Sequence, residues 1–131
     1  MSHWVKYTNN AFENTDINLL EKALRTMNYG INRQCKHIQN AWGNENVDFA
    51  LTDNKDRIIS LGFRADKNNT LELVGDFFAT GLREDTFLNQ HAQYYQKERI
   101  TQALEDNRWT IDNIETNQNN EIIINAYQYT L

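Results

Sequence analysis

Cys35 and His37 stand two residues apart in INRQCKHI, and a strand would set both side chains on one face. A thiol beside an imidazole is the minimum for a thiolate nucleophile with its base. Acyl transfer would also need an orienting third group and donors for the oxyanion, and the sequence shows no motif for either. Metal binding is the alternative chemistry: His3 and His91 bring the set to four ligands of a type zinc accepts, but no pair has the usual close zinc spacing. Asp76 stands among apolar neighbours in LVGDFF, where an unpaired carboxylate is costly to bury and its pKa would rise. As a general base it would need a second acid or a nucleophile, and none can be placed beside it. The plainer reading turns it outward at a strand end or pairs it with Arg64 or Arg83.

A second group of residues suits binding better than catalysis. Tyr94 and Tyr95 lie in a long helical pattern, and Tyr127 and Tyr129 share one face of the last apolar segment. These four are candidates for a partner-binding surface, the last two at a sheet edge open to pairing. Arg64, Lys67, Arg83, Lys97, Arg99 and Arg108 can form a partial basic face next to stacking aromatics, as an RNA-binding module would need. Acidic neighbours counter them, and the whole chain carries 13 Lys and Arg against 18 Asp and Glu, a net charge of -5. Nucleic acid is therefore an unfavoured partner. The five glycines form no phosphate-cradling pattern, so no cofactor is implied.

These residues must be positioned by a small fold. A chain of 131 residues, with hydrophobic residues at 40% and charged residues at 24%, fits a single domain over 1–131. Cys35 is the one cysteine, which leaves no internal disulfide and suits a reducing compartment. MSHWVKYTNN has no secretory pattern, and no apolar run reaches the roughly 20 residues of a membrane span. Asn68-Asn69-Thr70 matches the glycosylation pattern but reads as a polar turn.

Thr15 or Asp16 can cap a helix in which Ile17, Leu20, Ala23, Leu24 and Met27 share one face, with Asn28 and Gly30 as its stop. A strand is expected within 31–38. Val47, Phe49 and Leu51, then Ile59, Leu61 and Phe63, then Leu71, Leu73, Gly75 and Phe77 alternate with period two. Polar turns at 53–56 and 66–69 separate them, which predicts an antiparallel meander with one buried face. A helix is expected over about 84–106, roughly 34 Å long, with room for a bend near residue 97. Segments 109–115 and 121–129 predict a closing hairpin around the turn 116–120.

One phrase occurs twice: ALRTMNYGI at 23–31 and ALEDNRWTI at 103–111, 80 residues apart. Each lies where a helix ends and a strand begins. Either a β-α-β-β unit is duplicated, or two helix-to-strand corners demand similar residues. The fold class predicted is α+β: a mostly antiparallel sheet of about five to seven strands with two principal helices on one face.

With the elements placed, Met1-Ser2-His3-Trp4, LLEKALRTMNY, LGFRADKNNTLELVGDFF and FLNQHAQYYQKERI resemble, in order and over nearly the whole chain, an uncharacterised family. It is the conserved plastid reading frame ycf thirty-five, found also in cyanobacteria and other bacteria as a domain of unknown function. That family usually has Phe after the His, and tends to Gly where this chain has Met27-Asn28-Tyr29. The resemblance implies an α+β protein of the chloroplast stroma, or otherwise of the bacterial cytoplasm, with no catalytic residues to carry over.

Together, the missing catalytic motifs, the acidity and the small size predict a non-enzymatic accessory factor that binds an unidentified protein partner. The alternative is a small enzyme or metal-dependent factor built on Cys35, His37 and Asp76, with His3 as a further candidate. An RNA-binding module stands third.

Overall fold

The computed structural model describes residues 5–40, 43–76, 83–119 and 121–128. Strand β1 (Val5–Glu13) leads into helix α1 (Ile17–Thr26), followed by β2 (Gly30–Asn32), β3 (His37–Asn40), β4 (Gly43–Asn46) and β5 (Phe49–Thr52). Then come β6 (Ile58–Ala65), β7 (Thr70–Gly75), helix α2 (Glu84–Asp106), β8 (Trp109–Thr116) and β9 (Ile122–Gln128). The fold is mixed α+β and mostly strand, with two helices and nine strands among the described residues.

Local chemistry explains the meander. Asp53 accepts hydrogen bonds from the amides of Lys55 (2.9 Å) and Arg57 (3.0 Å), and Asp66 accepts from Asn68 (2.8 Å) and Thr70 (3.0 Å). Each carboxylate thus fills amide donors that the tight turn leaves unpaired. Asp56 and Asn69 take the left-handed backbone (φ 61° and 59°) that short polar side chains tolerate. β5, β6 and β7 therefore pair antiparallel in sequence. β1 adds to the outer side of β7, and β2 to the outer side of β5, giving one five-stranded sheet in the order β1-β7-β6-β5-β2. β3 with β4, and β8 with β9, form two separate two-stranded sheets.

Alternation along the sheet sends Phe12, Ile31, Phe49, Leu51, Leu61, Phe63 and Leu73 to one face. There they meet Leu20, Ala23 and Leu24 of α1 and Phe87, Leu88, Ala92 and Tyr95 of α2, so both helices cover the same face. Burial of each large apolar side chain contributes roughly 1.5–3 kcal/mol, which makes this the main source of stability. Asp16 caps α1 by accepting from the amides of Asn18 (2.9 Å) and Leu19 (3.4 Å). The buried Glu98 of α2 receives Lys22 of α1 at 3.2 Å and ties the helices together.

Two expectations need correction. The strand within 31–38 is two strands, β2 and β3, in different sheets. Asn32 causes the break: its side-chain oxygen accepts from the amides of Gln34 (3.0 Å) and Cys35 (3.2 Å) and turns the chain. The β5 segment, expected to have one buried face, is buried on both. Ile38 and Val47 of the β3–β4 layer pack with Ala50 behind the sheet, while Phe49 and Leu51 face the helices. That layer approaches so closely that a Cβ on Gly62 would stand 2.6 Å from Cγ1 of Val47 and 2.9 Å from the Phe49 carbonyl oxygen.

The repeated phrase encodes one backbone corner. Asn28 and Arg108, equivalent in the two copies, both have φ 66°. Before each, the helix closes in the same way: the Asn28 amide donates to the Arg25 carbonyl and the Arg108 amide to the Glu105 carbonyl, both at 3.0 Å. The surroundings differ. Ala23 and Leu24 are fully buried, whereas Ala103 is exposed and Leu104 only half-buried. The first corner delivers its strand to the edge of the five-stranded sheet, and the second delivers β8 to a hairpin outside it.

Candidate functional site

Cys35, His37 and Asp76 lie on different parts of the fold. Cys35 lies in the loop before β3, half-buried against Ile38, Val47 and Ala50. Its thiol donates to the backbone carbonyl of His37 at 3.0 Å, while the His37 side chain is exposed. The predicted shared face needed one continuous strand, and the turn at Asn32 removes it. Asp76 directly follows β7 and is 1% exposed, with its amide donating to the Ser60 carbonyl at 3.0 Å, so the outward placement is corrected. Nor is Arg64 reserved for Asp76. Its guanidinium bonds Glu45 and lies 3.3 Å from Glu72, and these carboxylates raise its pKa further, the Glu45 hydrogen bond most of all. Among the described residues, no three His, Cys, Asp or Glu side chains are grouped to hold a metal ion. His3 and Tyr129 lie outside the described residues.

His91 is a core residue. It is 0% exposed and ringed by Phe12 (5.1 Å between ring centroids), Phe63 (5.5 Å) and Phe87 (6.3 Å). Nε2 lies 3.2 Å from the Leu20 carbonyl oxygen, which assigns the proton to Nε2 and leaves Nδ1 buried as a bare acceptor. Burial pushes its pKa down to about 4, against the smaller opposing effect of the Leu20 bond. A neutral imidazole with no route to solvent serves packing.

Of the proposed aromatic surface, Tyr95 must be removed. It is 1% exposed, and its hydroxyl accepts the Asp16 amide at 3.1 Å, so it fastens α2 to the start of α1. Tyr94, one residue before it, is half-buried and lines a cleft of about 510 Å³ between α2 and the tip of the β8–β9 hairpin. Tyr127 on β9 is 40% exposed.

The hairpin is the unusual surface. Its tip is built by Asn117, whose side-chain oxygen accepts from the amides of Asn119 (2.9 Å) and Glu121 (3.0 Å). Its base is tied to the helix end by Gln128, which donates to the Asn107 carbonyl at 3.1 Å. Between these ties, no residue of either strand is buried. Trp109 (38%), Ile114 (40%) and Ile123 (38%) are large and exposed, and Ile100 of α2 (46%) adds to them. Ile111, Ile114, Ile122, Ile124 and Ala126 share the face whose cross-strand register runs Ile111↔Ala126, Ile114↔Ile124 and Thr116↔Ile122. The facing wall of the cleft is polar, with Asn89, Gln90 and Gln93 of α2. The cleft thus sets an apolar face opposite amides, neither of them fully covered.

No family model, curated protein or solved structure matches this chain. The surface therefore rests on its own geometry. Sequence reading finds Tyr94 and Tyr127 but not Trp109, Ile114 and Ile123, which lie in segments read as strands. The available signal was the run Ile122–Gln128, apolar on both faces and free of charge, where a half-buried strand would alternate.

Among the described residues, no helix is long and apolar enough to cross a membrane.

Proposed function

We propose that this protein is a non-enzymatic accessory factor that binds another protein through the faces of the β8–β9 hairpin and the adjoining part of α2. The observation that carries the reading is a two-stranded sheet with no buried residue beside exposed Ile100, Trp109, Ile114 and Ile123. A lone hairpin is at best marginally stable in water, and large aromatic and aliphatic groups are the usual anchors of a protein interface. The dispersal of Cys35, His37 and Asp76 among a loop, a strand end and the core supports a binding role over a catalytic one. Paired cations, such as Arg64 with Glu45 and Glu72 or Arg57 with Asp53, likewise weaken an RNA-binding role. On the resemblance to the plastid reading frame, the setting is the chloroplast stroma or the bacterial cytoplasm.

The test is gentle purification of a tagged copy from its native host, followed by mass spectrometry, beside the variants Trp109→Ala and Ile114→Ser. A stoichiometric foreign chain with the wild type, lost with either variant while the melting curve holds, is the expected result. A protein that elutes without any foreign chain at every salt concentration overturns the reading.

A further inference from the structure

The two strands of the hairpin have unlike outer edges. β8 carries the exposed Asp112 and Glu115, and its ladder is irregular between Ile111 and Asn113. Charge and bulging are the devices by which an edge strand resists pairing. β9, Ile122–Gln128, has no charge, glycine or proline, and its register against β8 runs without a break from Ile124 to Ile122. Among the described strands, β8 alone pairs with it. A chain of net charge -5 repels its own copies, and this edge is a stretch where that repulsion is locally absent.

We infer that β9 pairs antiparallel with β9 of a second copy of this chain, joining two hairpins into a four-stranded sheet β8-β9-β9-β8 across a two-fold axis at Asn125. The inference rests on the reading of the hairpin as a protein-binding surface, but it uses the strand edge and leaves the faces available. The pairing centred on Asn125 matches all seven described residues of β9 with the partner strand. It sets Ile123 opposite Tyr127 twice, an aromatic pair with a β-branched residue of the kind that stabilises sheets. It also sets Ile124 opposite Ala126 and Ile122 opposite Gln128, with the two Asn125 residues meeting on the axis. No like charges meet anywhere along it. The interface is isologous, so it closes at two copies instead of growing into a fibre.

The experiment measures the mass of the purified full chain in solution over a concentration series, for the wild type and for Ile123→Lys. Lysine at 123 faces Glu115 within its own hairpin, so the fold is retained while a charge enters the shared edge. The wild type is expected at twice the chain mass, with Ile123→Lys at the chain mass and an unchanged melting curve. In a Cys35→Ser background, Asn125→Cys should also link copies covalently when oxidised glutathione is added, and Asp112→Cys on the β8 edge should not. If Ile123→Lys fails to fold, the cross-link alone decides. A wild type of single-chain mass at every concentration overturns the inference, as does a dimer that survives Ile123→Lys and gives no link at 125. A monomer that still carries a foreign chain sinks only the self-pairing. A dimer without any foreign chain sinks only the accessory-factor reading.

Discussion

His91 shows how far a single side chain can be read. The helical pattern groups it with Phe87, Leu88, Ala92, Tyr94 and Tyr95, and all of these but Tyr94 are buried. Tyr94 lies about 100° around the helix from Tyr95 and off the buried stripe. The spacing of three and four carries that distinction, although both tyrosines were expected on the binding surface. What the sequence does not carry is the proton: the Leu20 carbonyl at 3.2 Å sets which ring nitrogen bears it, and burial among aromatic rings keeps the imidazole neutral. With a folded pKa of about 4 against an ordinary 6.5, the unfolded chain takes up a proton at a pH where the folded one does not. Stability from this residue is thus complete above about pH 6.5 and falls as pH drops toward 4, by about 3 kcal/mol in all. Denaturant titrations at pH 7 and pH 4.5 should show the wild type losing more stability than His91→Leu over the same interval. Parallel losses in the two proteins would show that His91 titrates normally.

Elements were legible where their local chemistry is self-contained. Helix α2 occupies the expected 84–106, because its stripe is long and Asn107 ends it. The polar turns closed by Asp53 and Asp66 likewise declare the meander. Illegible were features set by a second layer: Asn32 breaking the segment before β3, and β5 buried on both sides by residues distant in sequence. The twice-written phrase falls between these cases. Its backbone meaning is local, since Asn28 and Arg108 share φ 66°, whereas the burial around each copy depends on what the emerging strand meets. Identical corners with unlike side chains make an asymmetric test. Asn tolerates the left-handed conformation and Arg does so poorly, at a cost of about 1–2 kcal/mol. Arg108→Gly should therefore raise stability by roughly 0.5–1 kcal/mol, and Asn28→Ala should lower it by about 1 kcal/mol. Thermal or denaturant melts decide this, and a destabilised Arg108→Gly would mean that the arginine side chain holds the corner by contacts that outweigh its strain.

At the scale of the molecule, stability is unevenly distributed. The five-stranded sheet is covered by both helices on one face and by the β3–β4 layer behind part of the other, so Leu51, Leu61, Phe63 and Leu73 are all 0% exposed. The β8–β9 hairpin is attached through α2, the corner at Arg108 and the Gln128 bond, and has no core of its own. Amides that depend on burial for protection open only with the whole fold, whereas those of a solvated hairpin open locally. In native-state hydrogen exchange on dilute protein, the amides of β6 and β7 should exchange at the global unfolding free energy, and those of β8 and β9 well before it. Raising the protein concentration should slow exchange in β9 while leaving β6 and β7 unchanged, since pairing between copies buries the outward amides of that one strand. Equal protection of β9 and β6 in dilute protein would mean that the hairpin is held by more than its visible ties. A β9 rate indifferent to concentration would place the stabilising contact within one chain.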